Sequence, residues 1–111
     1  MFSRFSQYRY MWLFVFFDLP TETRKERKAA TDFRNLLLKD GFSMFQYSIY
    51  LRGCSSRENA EVHEKRVRNR LPEHGKVGIL RITDKQFGMM KLFFGTKPTK
   101  LPEGPKQLEM F

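Results

Sequence analysis

Cysteine is almost missing: Cys54 stands alone in 111 residues. A single thiol excludes an internal disulfide and a cysteine-built zinc site. Cys54 itself reads as a small apolar filler ahead of a helix. Long hydrophobic runs are missing too. The apolar stretch at 11–17, MWLFVFF, is seven residues, whereas a membrane span needs about 20. Arg4 and Arg9 precede it as in a signal peptide, yet Asp18 and Pro20 stand where a small-residue cleavage site belongs. The expectation is a cytoplasmic protein with no membrane segment. Acidic residues are in deficit, 12 against 21 Lys and Arg, for a formal charge of +9. So basic a chain generally has an anionic partner, most commonly nucleic acid. A basic ribosomal or membrane-surface protein would share that charge. No repeat or low-complexity block is visible, and 41% hydrophobic residues with 15% aromatics exclude a disordered basic tail.

What is present fits one domain. The run at 11–17 has the length and the aromatic and β-branched content of a buried strand covered on both faces. Asp18 sits where that strand leaves the core, as a turn residue before Leu-Pro or as a ligand. A first helix is expected over residues 23–40. Thr23 and Glu26 form a capping box, Ala29, Ala30, Phe33, Leu36 and Leu37 an apolar stripe, and Gly41 the stop. FSMFQYSIYLRG alternates, as one long strand or two short ones broken near Gln46. A second helix opens at Ser55, boxed by Glu58, with Ala60, His63, Val67 and Leu71 inward and Pro72 as its stop. KVGILRI is a strand, TDKQFGM a short helical turn capped by Thr83 or Asp84, and MKLFFG a last short strand. This order predicts an α+β fold, an open ferredoxin-like β-α-β-β-α-β sandwich with an extra short C-terminal strand. It occupies residues 1–95, followed at 96–111 by a Pro/Gly/Lys-rich tail.

The charges are unevenly placed. The second helix carries Glu58, Glu61 and Glu64 early and Lys65, Arg66, Arg68 and Arg70 late, which its macrodipole alone explains. The first helix does the reverse. Arg24, Lys25, Arg27 and Lys28 crowd its start, where each cation is disfavoured by roughly 0.3–1 kcal/mol. Arg24, Arg27 and Arg34 share one stripe opposite Phe33. Cations held against the dipole, beside free backbone donors, point to a phosphate that they meet. His63 reads as a packed histidine, and His74 sits in a loop with no partner suggested by spacing.

FVFFDLP…TRKERK, KDGFSMFQYSIYLRG and HEKRVRNRLPEHGKVGILRITDKQFGMMKLFFG together resemble the CRISPR-associated protein 2 family, the small subunit of the spacer-acquisition complex, closest to type II systems. The likeness covers about residues 10 to 95. It implies a homodimer formed through the sheets, with the last strand added to the partner protomer's sheet, and it divides FSMFQYSIYLRG into two strands. Asp18 matches the family aspartate, which in some members binds Mg²⁺ across the dimer axis and is required for nuclease activity. Gln46 and Ser48 match the family's Gln-x-Ser stretch and would support the Asp18 region or close a tight turn. The implied partners are the CRISPR integrase subunit and double-stranded prespacer DNA, with Arg24, Arg27, Lys28 and Arg34 as the binding cations. The resemblance leaves two functions open: a DNA-holding scaffold, or a Mg²⁺-dependent endonuclease using paired Asp18. An RNA-recognition module shares this topology, but KVGILRI lacks the Gly-Phe-Gly-Phe pattern of that class. The chain closes on Gln107-Leu108-Glu109-Met110-Phe111, similar to short peptides that bind bacterial sliding clamps. It is expected to dock on the integrase subunit or a clamp.

Overall fold

The apolar run forms β1 (Met11–Asp18), and the chain then lays down α1 (Arg24–Lys39), β2 (Ser43–Gln46), β3 (Ile49–Cys54), α2 (Arg57–Arg68), β4 (Lys76–Thr83), α3 (Asp84–Gly88), β5 (Leu92–Phe94) and β6 (Lys97–Thr99). These elements come from a computed structural model, which describes residues 10–102. Arg4, Arg9 and residues 107–111 lie outside the described residues. The main sheet has the order β2-β3-β1-β4. β1 pairs antiparallel with both neighbours, Phe14 opposite Leu51 and opposite Leu80. This is the expected ferredoxin-like α+β order.

Period-two alternation splits β1 between two cores. Met11, Leu13, Val15 and Phe17 pack with Phe33 and Leu37 of α1 and with Ala60 and Val67 of α2. Trp12 faces the other way, clustered with Leu51 and Phe87. The second face is closed only at this end. Trp12 stacks on Phe87 with ring centroids 4.2 Å apart, and its Nε1 donates to Asp84 Oδ1 at 2.8 Å, so α3 docks there. Towards Asp18 the same face is open, and Phe16 is 46% exposed. The expected two-sided burial of β1 therefore holds for its first half only. A sheet this small has one short helix with which to cover that side.

Local chemistry sets the boundaries. The Thr23–Glu26 capping box forms, with Glu26 N donating to Thr23 Oγ1 at 3.1 Å and Thr23 N to Glu26 Oε1 at 2.9 Å. Gly41, at φ 91°, ends α1. Phe42 N donates to Leu37 O and Gly41 N to Leu38 O, a Schellman closure that tucks Phe42 into the core. α2 starts one residue later than expected, capped by Ser56 and not Ser55. Ser56 Oγ accepts from Asn59 N at 3.0 Å, and Asn59 Oδ1 accepts from Ser55 N at 3.3 Å. Asn59 thus takes the place given to Glu58. Leu71 falls beyond the end of α2 and is exposed. FSMFQYSIYLRG does divide in two, with a register shift between Met44 and Gln46 and a turn at 47–48. β5 pairs with β6 in its own chain, so ordered structure continues past Gly95. No helix among the described residues is long and apolar enough to cross a membrane.

A clasp absent from any sequence pattern joins the helices. Asp40, the C-cap of α1, accepts from His63 Nδ1 and Arg66 Nη1 of α2, both at 2.8 Å. His63 is 6% exposed. A carboxylate can only accept, so the proton sits on Nδ1. Burial pushes the Asp40 carboxyl up, but the two hydrogen bonds outweigh it and leave its pKa below the ordinary value. A lowered folded pKa gives stability that is present above the unfolded value and lost as pH falls through the folded one. We expect Asp40→Asn to lower unfolding stability by about 1–3 kcal/mol at neutral pH. It should also soften the acid-side loss below about pH 4. Urea unfolding across pH measures both, and an unchanged midpoint would show the clasp to be idle.

Candidate nucleic-acid interface and the Asp18 end of the sheet

Asp18 is the last residue of β1 and is exposed. Alternation puts it on the face shared by Phe14 and Phe16, the half that α3 leaves open. Its register partner is Lys76, first residue of β4. Two features hold the main chain here. Phe17 N donates to Ser48 O at 3.1 Å. Gly75, at φ 99°, passes so close that a Cβ there would lie 2.7 Å from Asp18 O. Only glycine suits both the backbone angle and the approach. Among the described residues, none donates a hydrogen bond to the Asp18 carboxylate.

The two polar positions beside it part company. Ser48 lines an open groove with Asp18, Tyr47 and Lys76. It sits at φ 65° and engages β1 through its carbonyl. Gln46 is exposed at the irregular end of β2, with its side chain unbonded among the described residues, and does not line the groove. Tyr47 and Lys76 are the groove residues that sequence reading overlooked. The only signal for Lys76 was its place at the head of KVGILRI, and its pairing with Asp18 is set by tertiary register.

Mg²⁺ wants octahedral oxygens and usually one or two carboxylates with waters. Among the described residues no group of three His, Cys, Asp or Glu could hold a metal. One chain offers Asp18 alone, with a lysine as its register partner. A single chain therefore does not fit the ion, and a second copy of Asp18 is the least that would.

The cations of α1 are less free than their sequence positions suggest. Arg27 Nη1 folds back to donate to Thr21 O at 3.2 Å and Glu22 O at 3.0 Å. Lys28 pairs with Asp32 at 2.9 Å, and Arg34 reaches Thr31 Oγ1 at 3.3 Å. Arg24 is exposed and makes no such contact among the described residues. All four stand on α1, which starts just after Asp18 at the same end of the sheet. Arg24, Arg27 and Lys28 are exposed and Arg34 is half-buried, while Asp18 belongs to the sheet face opposite the helix layer. In α2, Arg66 is taken by Asp40, and Arg81 of β4 leans on Glu61 and Glu64 at 3.4 and 3.9 Å.

Fold and site together define a small, basic ferredoxin-like sandwich. One sheet face is half open, and a lone carboxylate marks the end of β1, one of the two inner strands. Residues 11–90 match the sequence model of "CRISPR associated protein Cas2". The chain is 66% identical over 110 residues to a "CRISPR-associated endoribonuclease Cas2" of Flavobacterium psychrophilum, covering 99% of this chain and 96% of that one. A protein of the same name from Parvibaculum lavamentivorans is 52% identical over 101 residues, covering 91% and 100%. One from Paracidovorax avenae is 45% identical over 104 residues, covering 94% and 96%. The chain belongs to the Cas2 family of CRISPR adaptation.

Proposed function

We propose that this chain is the dimeric, DNA-holding scaffold of spacer acquisition, bridging integrase-subunit dimers and gripping a double-stranded prespacer by its backbone. The observation that carries it is the charge. Two copies at +9 give +18, with Arg24 and its neighbours displayed at the start of α1. Cations on phosphates hold a duplex without reading its sequence. The open sheet face supplies the dimer surface. Phe16 and Leu80 are 46% and 50% exposed, and Gly78 leaves room for the Phe16 ring. A contiguous apolar patch of this kind marks an interaction site. Asp18 lies on that face, so a two-fold axis through it brings two carboxylates together.

Changing Phe16 and Leu80 together to Glu carries charges into that contact. The dimer dissociation constant is expected to rise at least about 100-fold, read by light scattering across concentration. A double variant that remains as dimeric as the parent rejects this face. The scaffold itself is tested by titrating unrelated duplexes at several salt concentrations. A steep, common slope of log K against log salt supports it, and a shallow or sequence-dependent one counts against it.

A second reading has its own support: the relatives are named endoribonucleases, and Asp18 is exposed and unbonded. A Mg²⁺ held between two Asp18 would supply Lewis acidity and a more acidic bound water. Chain residues alone hold and position the strand, and the metal awaits the dimer.

A further inference from the structure

The helix layer carries a groove with no role so far. It runs between the C-terminal halves of α1 and α2 and holds about 320 Å³, with Leu36, Lys39 and Asp40 on one wall and Val67, Asn69 and Arg70 on the other. The floor is apolar. Val67 belongs to the main core, and half-buried Leu36 packs against it. The rim is cationic. Lys39 and Arg70 are exposed, and among the described residues neither side-chain charge has a hydrogen bond or an ion pair. The one acid, Asp40, is already occupied by His63 and Arg66, so the guanidinium cancels its charge. The same clasp ties the end of α1 to α2 and fixes the two walls.

Macrodipoles account for cations at two helix ends, but not for an apolar floor left uncovered between them. A phosphate backbone would meet the cations and leave that floor in water. A protein segment with an apolar side chain beside acidic ones uses both, the apolar group as anchor and the charges as guide. Position agrees with this. The scaffold reading gives the open sheet face to a second copy and the start of α1 to the duplex. Lys39 stands about 22 Å along the helix from Arg24, at 1.5 Å per residue, so a partner seated in the groove competes with neither. We infer that this groove seats the integrase subunit, through an acidic segment whose apolar side chain enters between Leu36 and Val67 while Lys39 and Arg70 meet its carboxylates. The inference rests on the scaffold reading and adds the surface by which the scaffold bridges. Because the clasp builds the groove in advance, seating the segment orders little of this chain.

The test titrates purified integrase subunit into the full-length protein by calorimetry at two salt concentrations. Lys39→Glu with Arg70→Glu is expected to weaken association about 10-fold or more and to remove its strengthening at low salt. Lys39→Arg with Arg70→Lys should keep both. Asn69→Trp, which crowds the groove without changing a charge, should weaken association about 10-fold as well. All three positions are exposed, and the thermal midpoint of each variant confirms that it folds. The salt slope for duplex DNA and the dimer dissociation constant should stay at parental values throughout. Unchanged integrase affinity in either the charge reversal or Asn69→Trp overturns the inference and leaves the scaffold reading standing. A parent protein that binds no integrase subunit overturns the scaffold reading itself, and the groove with it. A lowered duplex slope would assign the groove to nucleic acid, and a shifted dimer constant to a second copy; each result overturns the inference.

Discussion

Duplex DNA is expected to bind the Arg24→Ala, Arg27→Ala, Lys28→Ala triple variant more weakly, with the slope of log K against log salt reduced by about 0.9 for each phosphate left without its cation. The three residues stand at the positive end of α1, where the macrodipole works against them. They need an anion more than cations elsewhere do, and backbone donors at the same terminus add to the attraction. Their shares should differ. Arg24 has no described partner to give up, whereas Arg27 must release two carbonyls and Lys28 must leave Asp32. Arg24→Ala alone should therefore account for one full phosphate, with unfolding unchanged. Arg27→Ala should also loosen the loop ahead of the helix and lower the thermal midpoint slightly. The Thr23–Glu26 cap survives in every variant, so the helix itself persists. Salt titrations of parent, single and triple variants decide the matter, and an unchanged slope in the triple variant rejects this helix as the binding face.

Asp18→Ala is expected to abolish any Mg²⁺-dependent cleavage outright while leaving folding, dimerisation and duplex affinity as they were. The side chain is exposed, bonds nothing among the described residues and lies outside both core clusters, so its removal leaves no cavity and no orphaned donor. Loss of cleavage with retained affinity separates a metal ligand from a structural residue. Residual metal-dependent cleavage at the parent rate would exclude Asp18 from any such chemistry. A fall in duplex affinity would show instead that the carboxylate shapes the binding surface.

Much of the fold was legible because local signals agreed. The capping box at Thr23, the glycine at position 41 and the apolar runs of β1 and β4 each mark their element without tertiary help. Boundaries failed where two residues of like chemistry compete, as at Ser55 and Ser56, where Asn59 decided the outcome. Asp18 stood out through its position after seven apolar residues. Its surroundings did not, because Lys76 and Tyr47 reach it only through strand register and a turn with Ser48 in the left-handed region. Asp40 escaped notice for the same reason: its partners lie 23 and 26 residues away, on a helix whose bases the macrodipole already explains. The α1 cations were visible as charges, but their hydrogen bonds to Thr21, Glu22 and Asp32 were not.

Counting new spacers in cells that carry Asp18→Ala in place of the parent gene tests the scaffold most directly. Acquisition near the parental frequency is expected, because holding the prespacer and bridging the integrase require charge and shape, not this carboxylate. Loss of acquisition by a variant shown to fold, dimerise and assemble would contradict the scaffold and place the function in Asp18 chemistry.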